Sequence, residues 1–206
     1  AGGAEASRAV IAAVRAAAAA GRLQPEPDPL RQLSEVAHRA VLHKATERDL
    51  TGMGSTLTLV VGRGADIALL QVGDSRCYRI DPSTDRITQW SRDQNLAAEL
   101  LANGTISMQE AERHPGRHIL TDVMGGEKPP RPEIATGSPL AAGELLLICS
   151  DGLIRVLSDR EIATQLTADR PSVRLQQHAE RMLAEANERG SPDNVSIVLV
   201  RLTRSR

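Results

Sequence analysis

Four short β-prone runs follow one another between residues 56 and 90, at 56–61, 67–72, 76–80 and 86–90, with Gly, Asp, Pro and Ser turns between them. Closely spaced runs with turns of this kind predict an antiparallel meander. The chain ahead of them is of another character. Residues 5–20 are almost entirely Ala, Val, Ile and Arg and are closed by Gly21, which predicts a first helix with a glycine C-terminus. In 30–47, Leu30, Leu33, Val36, Ala37, Ala40 and Val41 recur with a period near 3.6, which predicts a second, amphipathic helix packed beside the first. The three alternate prolines of 24–29 predict an extended linker between the two.

Beyond the meander, residues 95–126 are polar and broken. Ser107 and Glu110 have capping-box spacing for a short helix ahead of His114-Pro115-Gly116, so this stretch is expected to be an inserted surface flap. Strand character resumes at 133–136 and 144–150. The second of these is a continuous apolar run, as expected of a central strand covered on both faces. Ser158 and Glu161 repeat the capping-box spacing before another short helix. Leu175, Ala179, Met182, Leu183 and Ala186 mark a long helix ending near Gly190, and 194–202 is the expected closing strand. Helices on either side of a run of strands predict one α+β domain over 1–206, with sheets stacked and helices covering their outer faces.

Composition narrows the function classes. With 25 Lys and Arg against 26 Asp and Glu, the net charge of -1 supplies no field to draw in nucleic acid or an anionic membrane. Tyr78 and Trp90 are the only aromatics, so stacking platforms for single-stranded nucleic acid cannot be built and the core must be aliphatic. Cys77 and Cys149 each lie in an apolar segment and have no metal-ligand spacing, which suits buried thiols in a reducing compartment. No apolar run reaches the roughly 18 residues of a membrane span, so a soluble, cytoplasmic protein is expected.

Three acidic turns each put an Asp at the edge of an apolar strand: Gly73-Asp74-Ser75-Arg76, Ser150-Asp151-Gly152 and Ser191-Pro192-Asp193-Asn194. Taken singly, such turns are structural, because Asp and Asn bond their own backbone there. Taken together, strand-edge carboxylates from separate loops are what a hard divalent cation requires, since it takes oxygen ligands and keeps several waters.

In order along the chain, Gly54-Ser55-Thr56, Val72-Gly73-Asp74-Ser75-Arg76, the stretch from Ile119-Leu120-Thr121 to Gly125-Gly126, Ile148-Cys149-Ser150-Asp151-Gly152-Leu153 and Asp193-Asn194-Val195-Ser196 resemble the motifs of the metal-dependent type 2C serine/threonine protein phosphatases, bacterial type. The resemblance implies two stacked antiparallel sheets flanked by helix pairs, an α-β-β-α sandwich. It implies a cleft holding two Mn²⁺ or Mg²⁺ ions, with Asp151 and Asp193 as ligands and Asp93 joining Asp151 at a third ion. Gln94 departs from the His that often follows that Asp in the family. By the same resemblance, Asp74 is structural. On the expected flap, His114-Pro115-Gly116 suits a His that positions the loop or meets substrate, and Arg113 and Arg117 are candidates to steer a phosphoprotein.

The implied reaction is hydrolysis of phosphoserine and phosphothreonine in proteins, Ser/Thr kinases among them, by a metal-activated water with no covalent enzyme intermediate. The family's opening strand with its phosphate-binding Arg, and the Asp-Gly-x-Gly-Gly motif whose Asp bridges both ions, do not occur in these residues. The start at Ala1-Gly2-Gly3 resembles the family's first helix just after that motif, which implies two strands upstream and weak metal binding by this chain alone. The competing expectation is a catalytically silent relative acting as a phosphoprotein-binding or regulatory module.

Overall fold

The computed structural model describes residues 2–167 and 174–201. In chain order its elements are α1 (Gly3–Ala19), α2 (Pro27–Arg48), β1 (Leu57–Arg63), β2 (Asp66–Val72), β3 (Arg76–Asp81), β4 (Arg86–Gln89), α3 (Leu96–Ala102), α4 (Met108–Arg113), a 3-10 turn (Pro115–His118), β5 (Glu133–Gly137), β6 (Leu145–Cys149), α5 (Asp151–Ile154), α6 (Asp159–Thr167), α7 (Leu175–Glu188) and β7 (Ile197–Arg201). They divide into two compact units, Ala1–Asp74 with Arg92–Pro139, and Ser75–Ser91 with Leu140–Arg206.

The first unit carries a three-stranded antiparallel sheet in the order β1-β2-β5. Helices α1 and α2 lie together, and Ala6, Val10 and Ala13 of the one and Leu30, Leu33, Ala37 and Val41 of the other share a core with Leu57, Val61, Ala68, Leu70 and Val72 of the sheet. Helix α2 begins earlier than the prolines of 24–29 suggest. Pro27 and Pro29 form its first turn, where a helix has no partner for the N–H that proline lacks, so only 24–26 serve as linker.

The second unit carries a four-stranded antiparallel sheet in the order β4-β3-β6-β7. The apolar run of β6 is interior to that sheet, as its composition predicts, with Leu145, Leu147 and Cys149 sharing a core with Leu153, Leu157, Ile162 and Met182 from the stretch α5 to α7. Both capping boxes form: Ser107 and Glu110 exchange bonds ahead of α4, and Ser158 Oγ accepts from Glu161 N–H while donating to its carboxylate at 2.6 Å ahead of α6. These bonds to Ser158, with Arg189 beside it, hold the Glu161 carboxyl down to about 2.

The expected meander is instead two hairpins in two sheets. β2 pairs with β1 and β5, β3 pairs with β4 and β6, and β2 does not pair with β3. The break comes at Gly73, whose φ of 102° only glycine adopts freely and whose missing Cβ leaves room for Thr56 Cγ2, 2.3 Å from where it would stand. The chain therefore leaves β2 in a sharp turn before β3 begins. The closing strand starts at Ile197 rather than 194, and the expected last residue, Leu202, lies outside the described residues.

Helix α2 also anchors the end of the 95–126 stretch. His38, 5% exposed, accepts the Gly125 N–H on Nδ1 at 3.1 Å, and a Cβ on Gly125 would meet Val41 Cγ1 at 2.3 Å. Burial, with Arg39 adding repulsion, keeps the imidazole neutral to lower pH than its ordinary 6.5. The unfolded chain therefore takes up this proton more readily than the folded one, and the contribution of neutral His38 is present above 6.5 and lost as pH falls through its lowered folded value. We predict that the melting temperature falls on acidification from pH 7 to pH 5, and falls less in His38→Gln, whose amide oxygen keeps the acceptor without a proton to gain.

Candidate functional site

Of the three acidic turns, two lie in the second unit and are stitched together. Ser150 Oγ, at the end of β6, donates to the Asn194 carbonyl at 3.0 Å and accepts from the Ser196 N–H at 2.9 Å. From the other side, Ser191 Oγ donates to the Gly152 carbonyl at 2.8 Å. Between these serines the backbones approach so closely that a Cβ on Gly152 would stand 2.6 Å from the Asn194 carbonyl oxygen and 3.1 Å from that of Asp193. Asp151 opens α5 and Asp193 sits in the facing loop, so two carboxylates are carried by one interlocked pair of turns.

The two are held differently. Asp193 Oδ1 accepts the Asn194 N–H at 2.7 Å, a bond that orients it within its own turn. Asp151 is ion-paired with Arg155, one helical turn on, in a pair that is largely shielded from solvent. The donor set is carboxylate oxygen, which fits a hard divalent cation in kind. In number it is short, because no group of three or more His, Cys, Asp or Glu side chains gathers among the described residues.

The other residues singled out from sequence lie elsewhere. Asp93 is in the first unit, half-buried, shortly before α3. Asp74, at the turn after β2, is 9% exposed. His114 uses Nδ1 to accept the Gly116 N–H at 3.0 Å, which closes the 3-10 turn. Arg117 donates to the Glu112 carbonyl at 2.8 Å and to His118 Nε2 at 2.9 Å, while Arg113 is exposed in the last turn of α4. Cys77 and Cys149 are free and buried, and burial pushes both thiols up to about 12, so neither is a nucleophile at neutral pH.

Sequence reasoning passed over Arg155, although its i+4 spacing from Asp151 on a short helix is a readable signal. It also passed over Asp122, 6% exposed, which accepts the Arg131 N–H at 2.7 Å and its guanidinium at 2.8 Å. Their separation by nine residues in an irregular stretch leaves no periodic signal.

The close approach at Gly152 gives a direct test. Gly152→Ala forces the two turns apart and is expected to cost about 1–3 kcal/mol in chemical denaturation, the usual range for overpacking. An unchanged midpoint would show that the turns are not interlocked.

The sequence profile described as protein phosphatase 2C matches residues 1–195. Serine/threonine phosphatase stp of Listeria welshimeri is 34% identical over 171 residues, covering 82% of this chain and 65% of that protein. Serine/threonine protein phosphatase PstP of Mycobacterium tuberculosis is 35% identical over 153 residues, 74% of this chain and 28% of that one. The chain thus spans just under two thirds of the length of the Listeria relative. The crystal structure of the M. tuberculosis serine/threonine phosphatase PstP/Ppp matches with a TM-score of 0.81 at 30% identity, over 97% of this chain and 82% of that one. A structure of the PstP catalytic domain in complex with two manganese ions matches with a TM-score of 0.78 at 28% identity, over 97% and 81% of the two chains. Two antiparallel sheets with their helices, the order of the acidic turns and these matches agree: the chain belongs to the protein phosphatase 2C family.

Proposed function

We propose that this protein removes phosphate from phosphoserine and phosphothreonine in proteins, using Mn²⁺ or Mg²⁺ held in part by Asp151 and Asp193. The observation that carries the proposal is the interlocked pair of turns, which fixes together the backbones that bear the two carboxylates, one just after β6 and one in the loop before β7. The manganese-bound PstP structure supports the choice of ion. Asp93 is proposed as a ligand of a further ion.

Hydrolysis of a phosphate ester is an in-line attack of water on phosphorus that breaks the bond to the serine or threonine oxygen, and catalysis is mostly positioning and charge stabilisation. When bound, the divalent ion supplies a more acidic water and neutralises phosphoryl oxygens. The chain's own part is to hold its carboxylates still. Ser150 and Ser191 fix the two backbones, and the Asn194 N–H fixes the Asp193 carboxylate. Residues 95–126 act as a flap that meets the substrate protein, where exposed Arg113 and Arg117 face a phosphorylated partner, Ser/Thr kinases among them. No helix of the described residues is long and apolar enough to cross a membrane, and a cytoplasmic location is proposed.

Release of phosphate from a phosphothreonine peptide should require Mn²⁺ or Mg²⁺. It should fall by at least about 100-fold in Asp193→Asn, since even outer partners of a metal ligand cost roughly 10–100-fold. If the protein releases no phosphate with either ion, the reading fails and a silent phosphoprotein-binding module replaces it. Because Arg155 is paired with Asp151, a cation must compete with the guanidinium for that carboxylate. Arg155→Gln should therefore raise Mn²⁺ affinity several-fold in titration calorimetry, and an unchanged affinity would mean that Asp151 is not a ligand.

A further inference from the structure

Gln94 is the residue at which three separate segments of the first unit are tied together. Its side-chain Oε1 accepts the Gly73 N–H at 2.8 Å and its Nε2 donates to the Arg131 carbonyl at 2.8 Å. Its main chain completes the junction: the N–H donates to the Gly73 carbonyl at 3.0 Å, and the carbonyl accepts the Thr121 N–H at 3.0 Å. Both arms of the amide and both main-chain groups are thus spent on the turn after β2, the end of the 95–126 stretch and the approach to β5.

The junction is braced on each side. The Gly73 carbonyl also accepts from Gln71 Nε2 at 2.9 Å, and Gln71 Oε1 accepts from the Thr58 hydroxyl at 2.7 Å, which carries the chain of bonds back to β1. Beyond the Arg131 carbonyl, the guanidinium of the same residue reaches Asp122 and, on α3, Glu99, each at 2.8 Å. A network spanning β1, β2, α3 and the 119–131 segment therefore passes through one amide, and that amide adjoins Asp93.

We propose that Gln94 is a positioning residue that sets the base of the 95–126 stretch and the backbone of Asp93. The role demands one acceptor and one donor pointing in opposite directions. The amide supplies both from one side chain. The consequence for catalysis rests on the phosphatase reading, while the clamp itself does not.

The test is amide hydrogen exchange on the full chain without substrate or metal, so that it is read independently of activity. In Gln94→Ala, protection at Gly73 and Thr121 should fall roughly fivefold to tenfold, as expected for loss of about one net hydrogen bond, with β6 and β7 unchanged. Gln94→Leu, similar in volume but with neither arm of the amide, should lose protection to the same extent. On the phosphatase reading, Gln94→Leu also needs more Mn²⁺ for half-maximal phosphate release, with the KM for the phosphopeptide unchanged. Unchanged protection in Gln94→Ala, a loss spread through β6 and β7, or full protection at Gly73 and Thr121 in Gln94→Leu would each overturn the proposal. Exchange as expected without any phosphate release would leave the clamp standing and remove the phosphatase reading.

Discussion

The Cα of Gly152 lies so near the Asn194 backbone that no side chain fits between them, and the chemistry proposed for the second unit depends on that approach. Two carboxylates on independent loops would each sample many positions, and side-chain entropy would oppose their joint use. Here the backbones are in contact and two serine hydroxyls bridge them, so the ordering is done during folding. The sheet behind makes this possible. β6 is interior and its turn emerges between the ends of strands paired on both sides, while β7 brings the partner loop back to the same edge.

Much of this was legible in the residues. A continuous apolar run bounded by turn residues had to be an interior strand, and the structure places it between β3 and β7. The Ser-x-x-Glu spacings at Ser107 and Ser158 closed into capping boxes because the reciprocal bonds are local and need no tertiary help. The motif order that resembles the type 2C phosphatases carried the family, since it samples sites along most of the chain.

The illegible part depends on contacts distant in sequence. Four neighbouring β-prone runs look the same whether they form one sheet or two. The choice is made at Gly73 by a positive φ and by the Thr56 side chain packed against it. The alternate prolines of 24–29 carry the same ambiguity, because proline breaks a helix inside it but suits its first turn, and only the packing of Leu30 and Leu33 decides where the helix starts. Gln94 could be seen only as a departure from a family pattern. Its side-chain bonds reach partners 21 and 37 residues away in sequence.

The aliphatic character of the core also fixes how the protein can be observed. The only aromatic side chains, Tyr78 and Trp90, both belong to the second unit, Tyr78 fully buried with its hydroxyl on Asp159 at 2.8 Å and Trp90 beneath the Arg79 guanidinium, which is in turn bound to Glu144. Near-ultraviolet absorbance and tryptophan emission therefore report on that unit alone, and the first unit, built on Ala, Val and Leu, is optically silent in the same window. Far-ultraviolet ellipticity is dominated by helices, and among the described residues the two longest, α1 and α2, are in the first unit, with α5, α6 and α7 adding a smaller share from the second. A single unlabelled sample thus carries one signal confined to the second unit and one weighted toward the first, and coincidence of the two denaturation curves tests whether the halves unfold as one.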